Sequence, residues 1–185
     1  MKRIALDVDG VLCQFHEFCI EIAKKKHGLP SHFTTEHVRH WDITKTLEDA
    51  AEAIKLNKLI QSPGFALLMP PYPEAIQAVY IMRRLGVEVI FATSPNYFSK
   101  TWMWERKLWL KQHFNAPEED IVFVHKKHLV RANAFVDDKL SAVREWCLEN
   151  PDGKGFVWDK TYNRDDKNDV LRTDVWETVI EAVTS

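Results

Sequence analysis

The chain has 185 residues, 45% of them hydrophobic, and a formal net charge of −2, which suits one globular domain with a modest insertion. Because this charge is close to zero, neither a nucleic acid polymer nor an anionic membrane is expected as a partner. No apolar run is long enough to span a bilayer. The three cysteines lack the spacing of a disulfide framework or a zinc site, which favours reduced thiols in the cytoplasm.

Short apolar runs alternate with amphipathic segments along most of the chain. The first run predicts a strand over 3–8, which ends at the turn Asp9-Gly10. Residues 15–62 then show helical spacing, most clearly over 15–27 and 46–60, without a clear strand. After this segment, strands are predicted over 87–92, 121–124, 134–136 and 155–158, and helices over 74–85, 100–114, 139–148 and 173–183.

This alternation predicts an α/β fold, a Rossmann-like parallel sheet with helices on both faces. Residues 15–62 interrupt the alternation and are interpreted as a small helical cap inserted after the first strand. Residues 1–14 and 63–185 then form the core domain. Sheets of this kind bind ligands outside the carboxyl ends of their strands.

Three of the predicted strands end in chemically reactive side chains. The pairs are Asp7 and Asp9, Thr93 and Ser94, and Asp137 and Asp138. Each short motif alone is more often a turn or a cap than a site. Together, at the ends of strands in one alternating pattern, they indicate a shared site. No role is assigned to Tyr162 and Asn163, which follow the fifth predicted strand.

The two carboxylates near the first strand end suit phosphate ester chemistry. One of Asp7 and Asp9 can act as the nucleophile, and the other as general acid and base. Since a carboxylate repels an anionic phosphate, a divalent cation is needed between them, and Asp137 and Asp138 offer the oxygen ligands that Mg²⁺ prefers. Thr93 and Ser94 can donate hydrogen bonds to phosphate oxygens, and Lys127 is the basic residue that we choose to complete the charge balance.

The motifs that carry this chemistry resemble those of the haloacid dehalogenase-like phosphatase superfamily. The resemblance is closest to the 5'(3')-deoxyribonucleotidase family and covers most of the chain, strongly in the core and thinly in the cap. The matching segments are D-V-D-G-V-L from Asp7, Phe15, Trp41, P-G-F from Pro63, F-A-T-S-P from Phe91, Lys127, and F-V-D-D-K from Phe135.

This resemblance implies a role for each matched residue. Asp7 becomes the nucleophile that forms an aspartyl phosphate, and Asp9 becomes the general acid and base. The resemblance also implies Mg²⁺ as cofactor, bound by the side chains of Asp7 and Asp137 and the backbone carbonyl of Asp9, with Asp138 supporting the water shell of the ion.

Substrate contacts follow from the same resemblance. Thr93, Ser94 and Lys127 would hold the phosphate, and Phe15 and Trp41 would flank the base of a nucleoside monophosphate. The sequence departs from the family pattern at His40 and at Asn96-Tyr97, so neither the base nor the preference for deoxyribose is assigned.

Three alternatives remain beside a nucleotidase. The chain could hydrolyse another small phosphate ester, or bind nucleotides without turnover, although the joint presence of Asp7, Asp9, Lys127 and Asp137 argues against a silent protein. A dehalogenase is disfavoured because dehalogenation needs neither a metal nor an acid two residues after the nucleophile. A homodimer is a further possibility, in which a second subunit would close the open side of the small cap.

Overall fold

The computed structural model describes residues 1–164, 167 and 169–185. Its six strands are β1 (Arg3–Leu6), β2 (Glu88–Thr93), β3 (Ile121–Phe123), β4 (Ala134–Asp137), β5 (Lys154–Trp158) and β6 (Leu171–Thr173). Its α-helices are α1 (Phe15–Lys26), α2 (Ala50–Ile60), α3 (Phe65–Leu68), α4 (Pro73–Arg84), α5 (Trp102–Phe114), α6 (Leu140–Glu149) and α7 (Trp176–Thr184). The strands form one parallel sheet in the order β3-β2-β1-β4-β5-β6.

Strand β1 lies in the middle of this sheet and is buried on both faces, which is why it is a continuous apolar run. Ile4 and Leu6 belong to the hydrophobic cluster on one face, and Ala5 belongs to the cluster on the other. Helices α4 and α7 contact the strands from the first side, and α6 packs on β4 and β5 from the second. The predicted α/β fold, with helices on both faces of a parallel sheet, is confirmed.

The predicted elements differ from the structure mainly at their ends. A sixth strand, β6, was not predicted, and the last helix begins at Trp176 rather than at residue 173, because Thr173 belongs to that strand. The helix predicted over 46–60 begins at Ala50. Asp49 accepts hydrogen bonds there from the backbone N–H of Ala51 at 2.7 Å and of Glu52 at 3.3 Å, and so caps the helix.

Two connections that lie side by side join residues 15–62 to the rest of the chain. The backbone N–H of Gln14 donates to the carbonyl of Pro70, and that of Tyr72 donates to the carbonyl of Leu12, both at 2.9 Å. Residues 15–62 between these connections are helical or irregular and contain no strand. One hydrophobic cluster includes residues from this segment and from the sheet, so the division into cap and core stays a prediction.

Among the residues that the structure describes, no helix combines the length and the apolar character needed to cross a membrane.

Candidate active site

The register of the sheet brings two of the predicted carboxylates together. Leu6 of β1 pairs with Val136 of β4, so Asp7 and Asp137 follow at neighbouring positions where the two strands end. The backbone N–H of Asp7 continues this pairing by donating to the carbonyl of Val136 at 2.9 Å. Asp7, Asp137 and Asp138 each offer a carboxylate oxygen within 4.8 Å of the others, and all three residues are buried.

Lys127 supplies the positive charge between these carboxylates. It begins a short 3₁₀ turn after β3, and its Nζ lies 2.6 Å from Asp7 Oδ1 and 2.7 Å from Asp137 Oδ2. Burial disfavours the charged lysine, but the charges of Asp137 and Asp7 outweigh it and raise the pKa of Lys127. Lys127 therefore stays protonated and neutralises about one of the nearby carboxylate charges.

Burial changes the pKa of two of these carboxyl groups, those of Asp7 and Asp138. Burial first, and then the charge of Asp137, hold the pKa of Asp7 well above its usual range. The same two causes raise the pKa of Asp138 to about 7. Both shifts mean that burial, reinforced by the neighbouring carboxylate, disfavours the ionised forms of Asp7 and Asp138.

Asp138 is held from the opposite side by the turn that follows β5. The hydroxyl of Tyr162 donates to Asp138 Oδ2, and Asn163 Nδ2 donates to the backbone carbonyl of Asp138 at 2.7 Å. Gly10 leaves the space that this carboxylate occupies, because a Cβ at Gly10 would lie 2.2 Å from Asp138 Oδ2. The turn after β1 thus requires glycine both for its φ of +78° and for this close approach.

Asp9 lies apart from the three clustered carboxylates and is held by a buried arginine. Arg106 Nη2 donates to Asp9 Oδ1 at 2.6 Å, and the thiol of Cys13 donates to the same oxygen at 3.2 Å. The guanidinium of Arg106 lies between the rings of Trp102 and Trp109, at 5.0 and 5.2 Å from their centroids. Arg106 was not predicted as a site residue, because its burial depends on Asp9, 97 residues away in the chain.

The residues predicted to bind phosphate differ in their exposure to the cavity. Lys127 and Ser94 line the cavity that contains the carboxylates, whereas Thr93 does not. Thr93 ends β2, is fully buried, and its hydroxyl has no hydrogen-bond partner among the described residues. The structure therefore brings Ser94 and Lys127 to the cavity directly and places Thr93 beneath its surface.

A cavity of about 500 Å³ extends from the carboxylates to the segment between α1 and α2. Its walls include Asp7 and Lys127 at one part and the predicted base-flanking residues Phe15 and Trp41 at another. Trp41 is 50% exposed, and Lys139 Nζ lies 4.7 Å from its ring centroid. A flat ligand that stacks on this face of Trp41 must displace Lys139, whereas the other face remains free of this contact.

Further aromatic side chains surround the same cavity. The rings that line it in addition to Phe15 and Trp41 are His16, Tyr97, Phe98, Trp102 and His125. Of these, Tyr97 lies at a predicted departure from the family pattern, and no binding role was predicted for the other four.

Comparisons with known proteins agree with one another. The family model described as 5' nucleotidase, deoxy (pyrimidine), cytosolic type C protein (NT5C) matches residues 1–184. A protein of Bordetella bronchiseptica, provisionally named a 5'(3')-deoxyribonucleotidase, is 30% identical over 171 residues, which cover 88% of this chain and 86% of that protein. The human 5'(3')-deoxyribonucleotidase of cytosolic type is 28% identical over 144 residues, which cover 74% of this chain and 70% of the human protein.

A solved structure shares the fold over nearly the whole chain. A protein of Burkholderia xenovorans, provisionally named a haloacid dehalogenase-like hydrolase, superposes with a TM-score of 0.58 at 15% identity. The superposition covers 97% of this chain and 94% of that one. At this identity the likeness concerns the fold alone.

Proposed function

This chain belongs to the cytosolic type C 5'-nucleotidase family, and on that premise we propose that it is a Mg²⁺-dependent phosphatase of nucleoside monophosphates. The proposed reaction passes the phosphoryl group through the carboxylate of Asp7. The observation that carries the proposal is the single cavity of about 500 Å³ that joins the Asp7–Lys127 pair to Phe15 and Trp41. Such a cavity suits a ligand with a phosphate at one end and a flat ring at the other.

The first half of the reaction joins Asp7 to the phosphorus atom. A carboxylate oxygen of Asp7 attacks phosphorus, the bond from phosphorus to the ester oxygen breaks, and Asp9 donates a proton to the leaving nucleoside. Arg106 and Cys13 both donate to Asp9 Oδ1, so Oδ2 is the oxygen of Asp9 that is available for this proton. Lys127 and Ser94, which line the cavity, would hold the phosphate oxygens.

The second half releases inorganic phosphate. Asp9 accepts a proton from a water molecule while that water attacks the phosphorus, and the bond to Asp7 breaks. The hydrogen bond from the buried Arg106 to Asp9 Oδ1 keeps the Asp9 side chain in one place during both proton transfers. Asp7 and Asp9 then return to their starting protonation states.

The residues at the strand ends fit a divalent cation. The fit rests on two observations: the oxygens of Asp7, Asp137 and Asp138 lie within 4.8 Å of one another, and Asp138 Oδ1 is buried without a partner among the described residues. The side chains of Asp7 and Asp137 and the carbonyl of Asp9 would bind Mg²⁺, with Asp138 acting on its water shell. When bound, the ion supplies positive charge for the phosphate oxygens.

We also propose that the enzyme works in the cytoplasm on a small nucleotide. The human relative is of cytosolic type, and the chain carries a formal net charge of −2, which offers no general attraction for a nucleic acid polymer.

A phosphate-release screen tests this function. The purified protein with MgCl₂ is expected to release phosphate from nucleoside monophosphates such as dUMP and dTMP, and excess EDTA is expected to abolish the release. The panel should include 5' and 3' nucleotides with ribose and deoxyribose, together with sugar phosphates. Turnover of sugar phosphates alone would favour another small phosphate ester as substrate, and micromolar nucleotide binding without turnover would favour a silent binding protein.

Trp41→Ala tests the base-binding role of the cavity. Because stacking of a base on an aromatic ring contributes about 1–3 kcal/mol, the variant is expected to raise KM for a nucleotide about tenfold. KM for p-nitrophenyl phosphate should rise much less. Trp104→Ala is the matched control, since Trp104 is 60% exposed but does not line the cavity. Equal increases of KM for both substrates would remove Trp41 from the base site.

A further inference from the structure

A chain of contacts joins the carboxylate of Asp138 to the loop that contains Trp41. The Tyr162 hydroxyl donates to Asp138 Oδ2, and the Tyr162 ring stacks on the ring of His16, with centroids 4.5 Å apart and an interplanar angle of 30°. His16 in turn bonds through Nε2 to the backbone carbonyl of Trp41 at 3.0 Å. These contacts therefore connect the proposed cation site to the proposed base site.

The contact with Tyr162 selects one oxygen of Asp138. Oδ2 accepts the tyrosine hydroxyl, whereas Oδ1 is buried and has no partner among the described residues. The absence of a side chain at Gly10 leaves the room in which Oδ2 and the tyrosine hydroxyl meet, at 2.2 and 3.2 Å from a Cβ built on that glycine. Burial, followed by the charge of Asp138, raises the pKa of Tyr162, so its hydroxyl keeps the proton that it donates.

The ring of His16 stacks on the ring of Tyr162 and holds it in place. His16 is 4% exposed, and burial is the main cause that lowers its pKa, so the ring is neutral. A carbonyl oxygen only accepts hydrogen bonds, so Nε2 carries the proton donated to Trp41. A neutral ring held at one nitrogen offers a flat face for the tyrosine without adding a positive charge beside the carboxylates.

We propose that Tyr162 is a positioning residue of the cation site, which orients Asp138 so that its free oxygen would be available to the water shell of a bound cation, and that His16 links this orientation to the loop of Trp41. The inference deepens the proposed function and rests on it, because it concerns the same cation site. Hydrogen-bonded partners of metal-binding groups commonly affect metal affinity by about 10- to 100-fold. We expect the lower end for Tyr162, since Asp138 is proposed to act through the water shell.

Tyr162→Phe tests the proposal, because it removes the hydroxyl and keeps the ring that stacks on His16. Titration of the purified variant with MgCl₂ alone, followed by calorimetry, is expected to give a dissociation constant about tenfold higher than for the wild type. The MgCl₂ concentration for half-maximal phosphatase activity should rise by a similar factor, while kcat at saturating MgCl₂ stays within about threefold. A purely structural role would lower Tm and leave the affinity for Mg²⁺ unchanged.

Tyr72→Phe is the matched control. The Tyr72 hydroxyl donates to Glu17 Oε1 at 2.6 Å and accepts from Lys160 Nζ at 2.9 Å, so its loss also leaves partly buried partners but removes no contact with Asp138. This variant should bind Mg²⁺ as the wild type does. If the wild type binds Mg²⁺ and releases phosphate while Tyr162→Phe binds Mg²⁺ equally well, the role of Tyr162 is overturned and the proposed function stands. If the wild type neither binds Mg²⁺ nor releases phosphate, both are overturned.

Discussion

Asp7→Asn is expected to lower the rate of phosphate release by roughly 10⁴-fold, because an amide oxygen is a poor nucleophile towards phosphorus. The fold should persist, since asparagine keeps the shape of aspartate and an oxygen that accepts from Lys127, which lies 2.6 Å from Asp7 Oδ1. The change also removes one charge from a carboxylate cluster in which burial and Asp137 already raise the pKa of Asp7. Initial rates with saturating nucleotide and MgCl₂, together with a thermal unfolding curve, measure both effects.

Asp49→Asn is the control for this substitution. Asp49 caps helix α2 away from the cavity, and asparagine caps helices about as well as aspartate, so rate and Tm should match those of the wild type. A rate for Asp7→Asn within about tenfold of the wild-type rate, with the fold retained, would refute the assigned nucleophile.

Lys127→Met is expected to have the second largest effect, on stability as well as on activity. Lys127 is 6% exposed and contacts two buried carboxylates at 2.6 and 2.7 Å, so its loss leaves those charges without their partner. Removal of one partner of a buried ion pair costs about 3–5 kcal/mol, which for a chain of this length lowers Tm by about 10 °C. Saturating MgCl₂ should restore part of this loss, since the cation balances the same carboxylates.

Lys126→Met serves as its control, because Lys126 is the exposed neighbour and has none of these contacts. Thermal unfolding in EDTA and in MgCl₂ separates the two variants. An unchanged Tm for Lys127→Met in EDTA would show that the ion pairs do not stabilise the fold. Unchanged activity would show that Lys127 does not hold the phosphate.

The sequence predicted the sheet well because the central strands are buried on both faces and read as apolar runs. Strands β2 and β4 were predicted to end at residues 92 and 136, and each continues one residue further, to Thr93 and Asp137. Strand β6 was missed for the opposite reason. It has three residues, two of them exposed, so its sequence carries no apolar run and its pairing depends on β5.

The carboxylates were placed together from sequence because parallel strands end on the same edge of a sheet. Arg106 could not be found in that way. An arginine in a helix is ordinarily a surface residue, and the contacts with Asp9, with the sulfur of Cys13 and with the two flanking tryptophans make the burial of Arg106 favourable. The one available signal is the spacing Trp102, Arg106 and Trp109, which places all three on one face of α5.

The turn after β5 shows a similar limit. Tyr162 and Asn163 reach Asp138 through a short 3₁₀ turn, which Arg172 of the unpredicted strand β6 holds by donating to Asn163 Oδ1 at 2.7 Å and to the Asn163 carbonyl at 3.0 Å. The roles predicted for Phe15 and Trp41 stay predictions. Their positions in the cavity wall agree with contact to a base, and substrate kinetics decide whether that contact occurs.

Direct detection of the phosphorylated aspartate tests the central claim. In Asp9→Asn, p-nitrophenyl phosphate should still transfer its phosphoryl group, because its leaving group needs no acid, while the hydrolysis that needs the base is slowed. After reaction with MgCl₂ and an acid quench, borohydride reduces an aspartyl phosphate to homoserine, and peptide mass spectrometry then locates it. The proposed mechanism predicts homoserine at position 7 in place of Asp7. An unmodified Asp7 in a variant that still releases p-nitrophenol, or homoserine at another aspartate, would contradict it.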